Sequence, residues 1–227
     1  MSPAISCADN YARSVAKLFS PFIGQSLLEV GTGYGNYKQY LPPLKRYTSI
    51  DVDAEVVEHA RAVDKGGRYY VADVSEDNLK DILGEEKYDT ILCVNVLEHI
   101  EEQKKALLNM LNVLEFGGYL LIFVPAHMSL YCKLDKMAGH FRRYSMLSLK
   151  EVLKGLPCDL INLEYFNPIG AVGWWINKII PVRSIRQKHI AWQVNIFDRF
   201  ILPLSIRLNC LTKKMFGQSL VCVVRRS

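Results

Sequence analysis

The 227-residue sequence predicts an α/β fold with a mostly parallel sheet covered on both faces, and two observations carry that prediction. Short, nearly continuous apolar runs alternate with amphipathic segments, as expected of parallel strands buried on both faces and joined by helices. Several of the runs stop on a polar residue or a glycine, the place where strands of an open parallel sheet meet a ligand.

The elements follow in order. Ser26–Val30 is a short strand that ends at the cluster Gly31-Thr32-Gly33-Tyr34-Gly35. A helix through Tyr37 and Tyr40 is predicted next, stopped by Pro42-Pro43. Residues 47–50 form a second strand ending at Asp51, and the helical pattern of residues 54–63 puts Val56, Val57 and Ala60 on one face. Residues 69–72 lead to Asp73, and residues 90–94 lead to Asn95. Ala106, Leu107, Met110, Leu111 and Leu114 line one helix face. Gly117-Gly118 is predicted to end that helix before a fifth strand at 119–124, closed by Pro125. Beyond it, residues 128–144 look irregular, 148–156 helical, and 160–166 and 219–224 extended, the last completing seven strands. The expected organisation is a core at 1–126, an acceptor-side cap with late core elements at 127–218, and a final strand at 219–227.

Charge is divided unevenly. Residues 1–127 carry 12 Lys/Arg against 18 Asp/Glu, a net of −6, and residues 128–227 carry 16 against 5, a net of +11. The basic half is also rich in Trp, Ile and Leu, a mixture suited to an anionic substrate, a membrane surface or a nucleic acid, or simply to a packed subdomain with solvated cations. No apolar run reaches the ~20 residues needed to span a bilayer. Residues 190–206 come nearest, but Gln193, Asn195, Asp198 and Arg199 interrupt them. The six cysteines form no Cys-x-x-Cys pair, which predicts a reducing, cytoplasmic compartment and no zinc site. The first residues lack a basic stretch followed by an apolar core, so no signal peptide is expected.

Four successive strand ends present Glu29 with its glycine loop, Asp51, Asp73 and Asn95, and together they predict one site. Singly, Asp51 and Asp73 could also be helix caps, and Asn95 turn chemistry. The dinucleotide fingerprint places its third glycine three residues past the second, where this chain has Asn36. Glu29, two residues before the first glycine, disfavours a pyrophosphate and suits a cationic ligand.

Glu29-Val30-Gly31-Thr32-Gly33-Tyr34-Gly35 resembles the first motif of class I S-adenosylmethionine-dependent methyltransferases. The resemblance implies a Rossmann-like, doubly wound, mostly parallel seven-stranded sheet with a C-terminal cap insertion. It implies S-adenosyl-L-methionine as cofactor and S-adenosyl-L-homocysteine as product. Gly31, Thr32, Gly33 and Gly35 would then face the methionine end, with Glu29 anchoring the amino group or orienting the loop. Asp51 would take the ribose hydroxyls and Val52 the adenine face. Asp73 would take the adenine amino group, Val74 would flank the ring, and Asn95 would lie beside the transferring methyl.

On the acceptor side, His99, His127 and His140 are the candidate general bases, because histidine titrates near neutral pH. Gly139-His140-Phe141-Arg142-Arg143-Tyr144 resembles a run in small-molecule methyltransferases related to ubiquinone-biosynthesis O-methyltransferases, which favours His140 and gives Arg143 and Tyr144 as substrate-binding candidates. Arg142 and Arg143 could equally pair with the acidic first half. Asn95-Val96-Leu97-Glu98 lacks the Pro-Pro-aromatic run of enzymes that methylate planar amides, which favours an oxygen acceptor. The expectation is O-methylation of a small or lipid-linked acceptor such as a sugar, quinone precursor or secondary metabolite. Peripheral contact with anionic membrane and no nucleic-acid partner are expected beside it. An RNA or protein methyltransferase using the basic half, and a membrane-peripheral binding module with a retained cofactor pocket, are the alternatives.

Overall fold

In a computed structural model, which describes residues 9–33, 37–179 and 195–227, the sheet is built outward from β1 (Ser26–Val30). The strands β2 (Arg46–Asp51), β3 (Arg68–Val71), β4 (Tyr88–Val94), β5 (Leu114–Pro125), β6 (Cys158–Phe166) and β7 (Ser219–Arg226) complete seven, in the order β3-β2-β1-β4-β5-β7-β6. The first five run parallel, and β7 is antiparallel to both β5 and β6. Val30 pairs with Ile50 on one side and Cys93 on the other, so the strand ends arrive level at one edge.

Alternation along the strands divides the core in two. Leu28, Ile91, Cys93, Leu120 and Ile122 pack with α3 (Leu79–Leu83), α4 (Gln103–Val113) and α6 (Met146–Leu153). Leu27, Leu92, Val94, Leu121 and Phe123 pack on the opposite face with α1 (Asp9–Phe19), α2 (Ala54–Val63) and a late helix, α8 (Leu202–Thr212). The remaining helices are α5 (Lys133–Met137) and α7 (Pro168–Ile179).

The structure corrects the expected elements at several points. The helix through Tyr37 and Tyr40 is a single 3-10 turn, Lys38–Tyr40. Leu41 is already extended at φ −78 and ψ 154, as the proline that follows requires. Gly117-Gly118 does not end a helix. The chain leaves α4 at Val113, and Leu114 pairs with Tyr88 while Tyr119 pairs with Thr90, so the glycines lie in a bulge of β5. Gly118 is required there, because a Cβ would come within 2.8 Å of the Asp89 carbonyl oxygen. α6 begins at Met146, capped by Ser145, whose hydroxyl accepts from the Ser148 amide at 3.0 Å. β7 lies inside the sheet and β6 forms the edge. α1 is not among the elements expected from the sequence.

Two polar residues fasten the C-terminal elements. Asn167, fully buried at φ +61, donates from Nδ2 to Gln218 Oε1 at 2.7 Å. Its Oδ1 accepts from the Gly170 amide at 3.0 Å and the Ser205 hydroxyl at 2.7 Å, joining β6, α7, α8 and the approach to β7. Asp198, in the π-helical segment Phe197–Ile201, accepts from the Asn10 and Tyr11 amides at 3.0 and 2.8 Å and so caps α1 from across the chain. Replacing Asn167 with Ala removes three hydrogen bonds and strands their buried partners. A loss of about 2–4 kcal/mol is expected in urea unfolding.

Candidate active site

At the level edge, the loop after β1 is tied down residue by residue. Gly31 and Thr32 donate their amides to the Ile50 carbonyl at 2.8 and 3.1 Å, and the Thr32 and Ser49 hydroxyls are 2.7 Å apart. Gly31 adopts φ +86, and a Cβ there would collide with Val96, so only glycine lets the β1 loop pass the β4 loop this closely. Gly33 donates its amide to Asp51 Oδ2 at 3.1 Å, and the Asp53 amide donates to Oδ1 at 3.0 Å. Asp53, rather than Asp51, caps α2. Each Asp51 oxygen therefore accepts one amide and keeps lone-pair capacity.

Asp73 Oδ1 accepts from both the amide and the hydroxyl of Ser75, at 2.8 and 2.6 Å. Asn95 stands at φ +53 with its amide on the Phe123 carbonyl at 2.8 Å. Val52 is 67% exposed, an open apolar surface beside Asp51. Val74, expected to flank the adenine, is instead buried in the core with Leu79 and Leu83. Gly35 lies outside the described residues.

Glu29 differs from an open ammonium anchor. It is buried on the α1/α2 face, where the Tyr47 hydroxyl donates to Oε2. Burial pushes its carboxyl up to about 7; Tyr47 and Lys38 oppose the rise, while the Asp51 charge adds to it. Glu29 thus stands behind the glycine loop.

The insertion between β5 and α6 is organised by Asp135, which is fully buried on α5. Its Oδ1 accepts from Arg143 Nε at 2.8 Å and lies 3.0 Å from His140 Nδ1. Oδ2 accepts from the Cys132 amide at 2.9 Å and from Trp174 Nε1 at 3.4 Å. Burial alone would raise this carboxyl, but His140 and Arg143 hold it well below the usual carboxylate range. Arg143 is 5% exposed and also lies over the Trp174 ring at 4.7 Å. Tyr144 is buried, its hydroxyl donating to the Leu97 carbonyl at 3.1 Å and to Gln103 at 2.7 Å. Neither residue is presented to an acceptor as expected. Both brace the insertion, because buried polar groups must be satisfied internally.

The three histidines separate. His127, at φ +61, stacks on Tyr165 and Phe216 with ring centroids 4.7 and 5.3 Å away. Partial burial and then Arg143 lower its pKa. His99 and His140 meet edge to face with centroids 4.6 Å apart. Beside them lies Glu98, which is not among the site residues expected from the sequence. It is 1% exposed, neither carboxylate oxygen accepts a hydrogen bond from another residue, and burial raises its pKa to about 8. The ligand atoms of Glu98, His99 and His140 lie within 4.8 Å of one another, a spacing that could hold a metal ion. Cysteine spacing gives no hint of it, because this group forms only when residues 98–99 and 140 fold together.

The raised Glu29 pKa has a testable consequence in the cofactor-free protein. A carboxyl whose folded pKa lies above its unfolded value contributes stability that is full below about 4.5 and lost as pH rises through about 7. Glu29→Gln keeps an acceptor for Tyr47 but never ionises. Thermal unfolding at pH 8 should therefore show the variant more stable than the parent, by on the order of 3 kcal/mol, with the gap nearly closed at pH 5.

Comparison with known proteins agrees with this geometry. Residues 28–120 match the family model described as a methyltransferase domain. A probable S-adenosylmethionine-dependent methyltransferase of Mycolicibacterium smegmatis is 27% identical over 135 residues, 58% of this chain but only 51% of that protein's length. A ubiquinone biosynthesis O-methyltransferase of Glaesserella parasuis is 28% identical over 186 residues, covering 71% of this chain and 77% of that protein. Among solved structures, an S-adenosylmethionine-dependent methyltransferase of Mesorhizobium loti superposes with a TM-score of 0.64 at 15% identity, covering 94% of this chain and 96% of the other. The domain match over residues 28–120, the two relatives and the shared fold support a class I S-adenosylmethionine-dependent methyltransferase.

Proposed function

We propose that the chain transfers the methyl group of S-adenosylmethionine to an oxygen of a small or lipid-linked acceptor, such as a sugar, a quinone precursor or a secondary metabolite. The donor set suits the cofactor. Asp51 has capacity left for the ribose hydroxyls, exposed Val52 offers an apolar face to adenine, and Asp73, bonded to Ser75 through Oδ1, offers Oδ2 to the adenine amino group. Gly31, Thr32, Gly33 and Gly35 would border the methionine end, with Asn95 beside it and Glu29 holding the loop from behind. When bound, the cofactor supplies a methyl group on a sulfonium, a good leaving group.

The single observation that carries the oxygen acceptor is the Asp135–His140 pair. A hydroxyl must shed its proton as it attacks, and an imidazole fixed through Nδ1 by a buried carboxylate has Nε2 free to take it. The new bond joins oxygen to the methyl carbon as the carbon–sulfur bond breaks, and the proton passes to His140. Holding the acceptor in line supplies roughly 7–11 kcal/mol of the barrier. Two variants separate the roles. Asp51→Ala should weaken S-adenosylhomocysteine binding by at least about tenfold in calorimetry. His140→Ala should bind it as tightly as the parent yet lose about 10²- to 10⁴-fold in turnover. Turnover is followed by mass spectrometry of metabolite extracts incubated with deuteromethyl-labelled cofactor. Label on nitrogen, or unimpaired turnover in His140→Ala, counts against the proposal.

The surface of the cap supports a lipid-linked acceptor. Phe200, Leu204, Leu208, Leu211 and Met215 recur at helical spacing and are all exposed, from 39% at Leu208 to 78% at Met215. Trp175 on α7 is exposed as well, and Arg199, Arg207 and Lys214 accompany the stripe. Aromatic and aliphatic bodies with flanking cations are what an interfacial helix needs. No helix of the described residues is long and apolar enough to cross a membrane. The protein should sediment with anionic liposomes at low salt and be released as salt rises, each cation near the surface contributing about 1 kcal/mol. Retention in the supernatant would favour a soluble acceptor.

A further inference from the structure

We infer that Glu98, His99 and His140 bind one divalent transition-metal cation of the zinc class at the acceptor side of the site. The metal's role rests on the proposed hydroxyl acceptor, but its existence does not. The donor set comes first. One carboxylate and two imidazoles form a recurrent zinc environment, and three protein ligands leave a coordination position open. The pair Glu98 Oε1 and His140 Nε2 is 4.0 Å apart, and all three ligand atoms lie within 4.8 Å of one another. Zinc–ligand lengths of about 2.0–2.2 Å put tetrahedral donors about 3.3 Å apart, so modest side-chain rotation closes the shell.

The second observation is the state of Glu98. A carboxylate removed from water is normally matched by donors, as Asp135 is, yet Glu98 is just as buried and accepts nothing from another residue. A simple ion pair with His140 would not resolve this. At 4.0 Å the contact is too long for a hydrogen bond, and it leaves the second oxygen orphaned. A cation between Glu98 and the two rings supplies the missing partner.

The support around the three residues is that of a ligating group. His140 Nδ1 is held by Asp135, which sets the tautomer with the Nε2 lone pair toward Glu98, the carboxylate–histidine–metal arrangement. His99 has a backbone hydrogen bond with Gly139. The Phe141 amide donates to the Glu98 carbonyl at 2.9 Å, and the Tyr131 hydroxyl to the His140 carbonyl at 2.7 Å, so protein contacts alone hold the two ligand-bearing segments together. A cation held there would acidify an acceptor hydroxyl at the open position, with His140 as its ligand, whereas in the metal-free protein His140 takes the proton itself.

The test strips the protein with a chelator, removes the chelator, and titrates Zn2+ in competition with a chromogenic indicator. One equivalent should be retained by the parent. Glu98→Gln, which keeps shape and volume, should lose at least about tenfold in zinc affinity while binding S-adenosylhomocysteine as before. His99→Ala and His140→Ala should do the same, and Asp135→Asn should weaken zinc by about 10- to 100-fold. Failure to bind zinc overturns the inference, and so does equal binding by the parent and Glu98→Gln, which shows an adventitious ion only. His140 as free base would survive that result. One bound zinc that is lost in Glu98→Gln supports the site even if label is found on nitrogen, in which case the hydroxyl acceptor alone falls.

Discussion

Asp135 takes hydrogen bonds from four parts of the chain: the Cys132 amide at the start of its own helix, His140 and Arg143 further along the insertion, and Trp174 on α7. An unpaired carboxylate at this depth would cost several kcal/mol, and removing any one partner exposes part of that cost. The insertion between β5 and α6 has little regular structure, so this carboxylate does for it what a hydrogen-bond ladder does for a strand. It fixes the His140 ring, brings Arg143 over Trp174, and fastens the cap helix to the core. The insertion is therefore only as precise as the network around one buried charge.

The loops at the level strand ends are ordered differently, by backbone. Glycine at position 31 brings two strand-end loops into contact, and the Ile50 carbonyl and the Asp51 carboxylate receive the amides of the loop that follows β1. These bonds form within the sheet edge itself and need no help from the cap. One half of the site thus depends on strand register and the other half on side-chain chemistry.

That division explains what was legible in the sequence. Apolar runs ending on Glu29, Asp51, Asp73 and Asn95 announce parallel strands and a common edge, because burial on both faces leaves a continuous signal. Paired glycines are ambiguous: Gly117-Gly118 reads equally as a helix stop or a strand bulge, and only the close Asp89 carbonyl decides between them. Glu98 and Asp135 carry no periodic signal at all. Each is an ordinary acidic residue beside an irregular segment, and its meaning comes from partners as far as 42 positions away. Tyr144 was legible as a member of a motif but not as a core residue, since its burial depends on Leu97 and Gln103.

β7 is the last strand of the sequence yet sits inside the sheet, between β5 and β6. The cap of α1, Asp198, lies 187 positions beyond the Tyr11 amide that it accepts from. A chain emerging from a ribosome therefore completes neither feature until residue 198 and residues 219–226 have emerged. Until then β5 and β6 each present an unpaired edge, the kind of surface through which nascent chains associate with one another. The long separation of these contacts makes for a late, cooperative closing of the molecule, in which its first helix and its last strand are secured together.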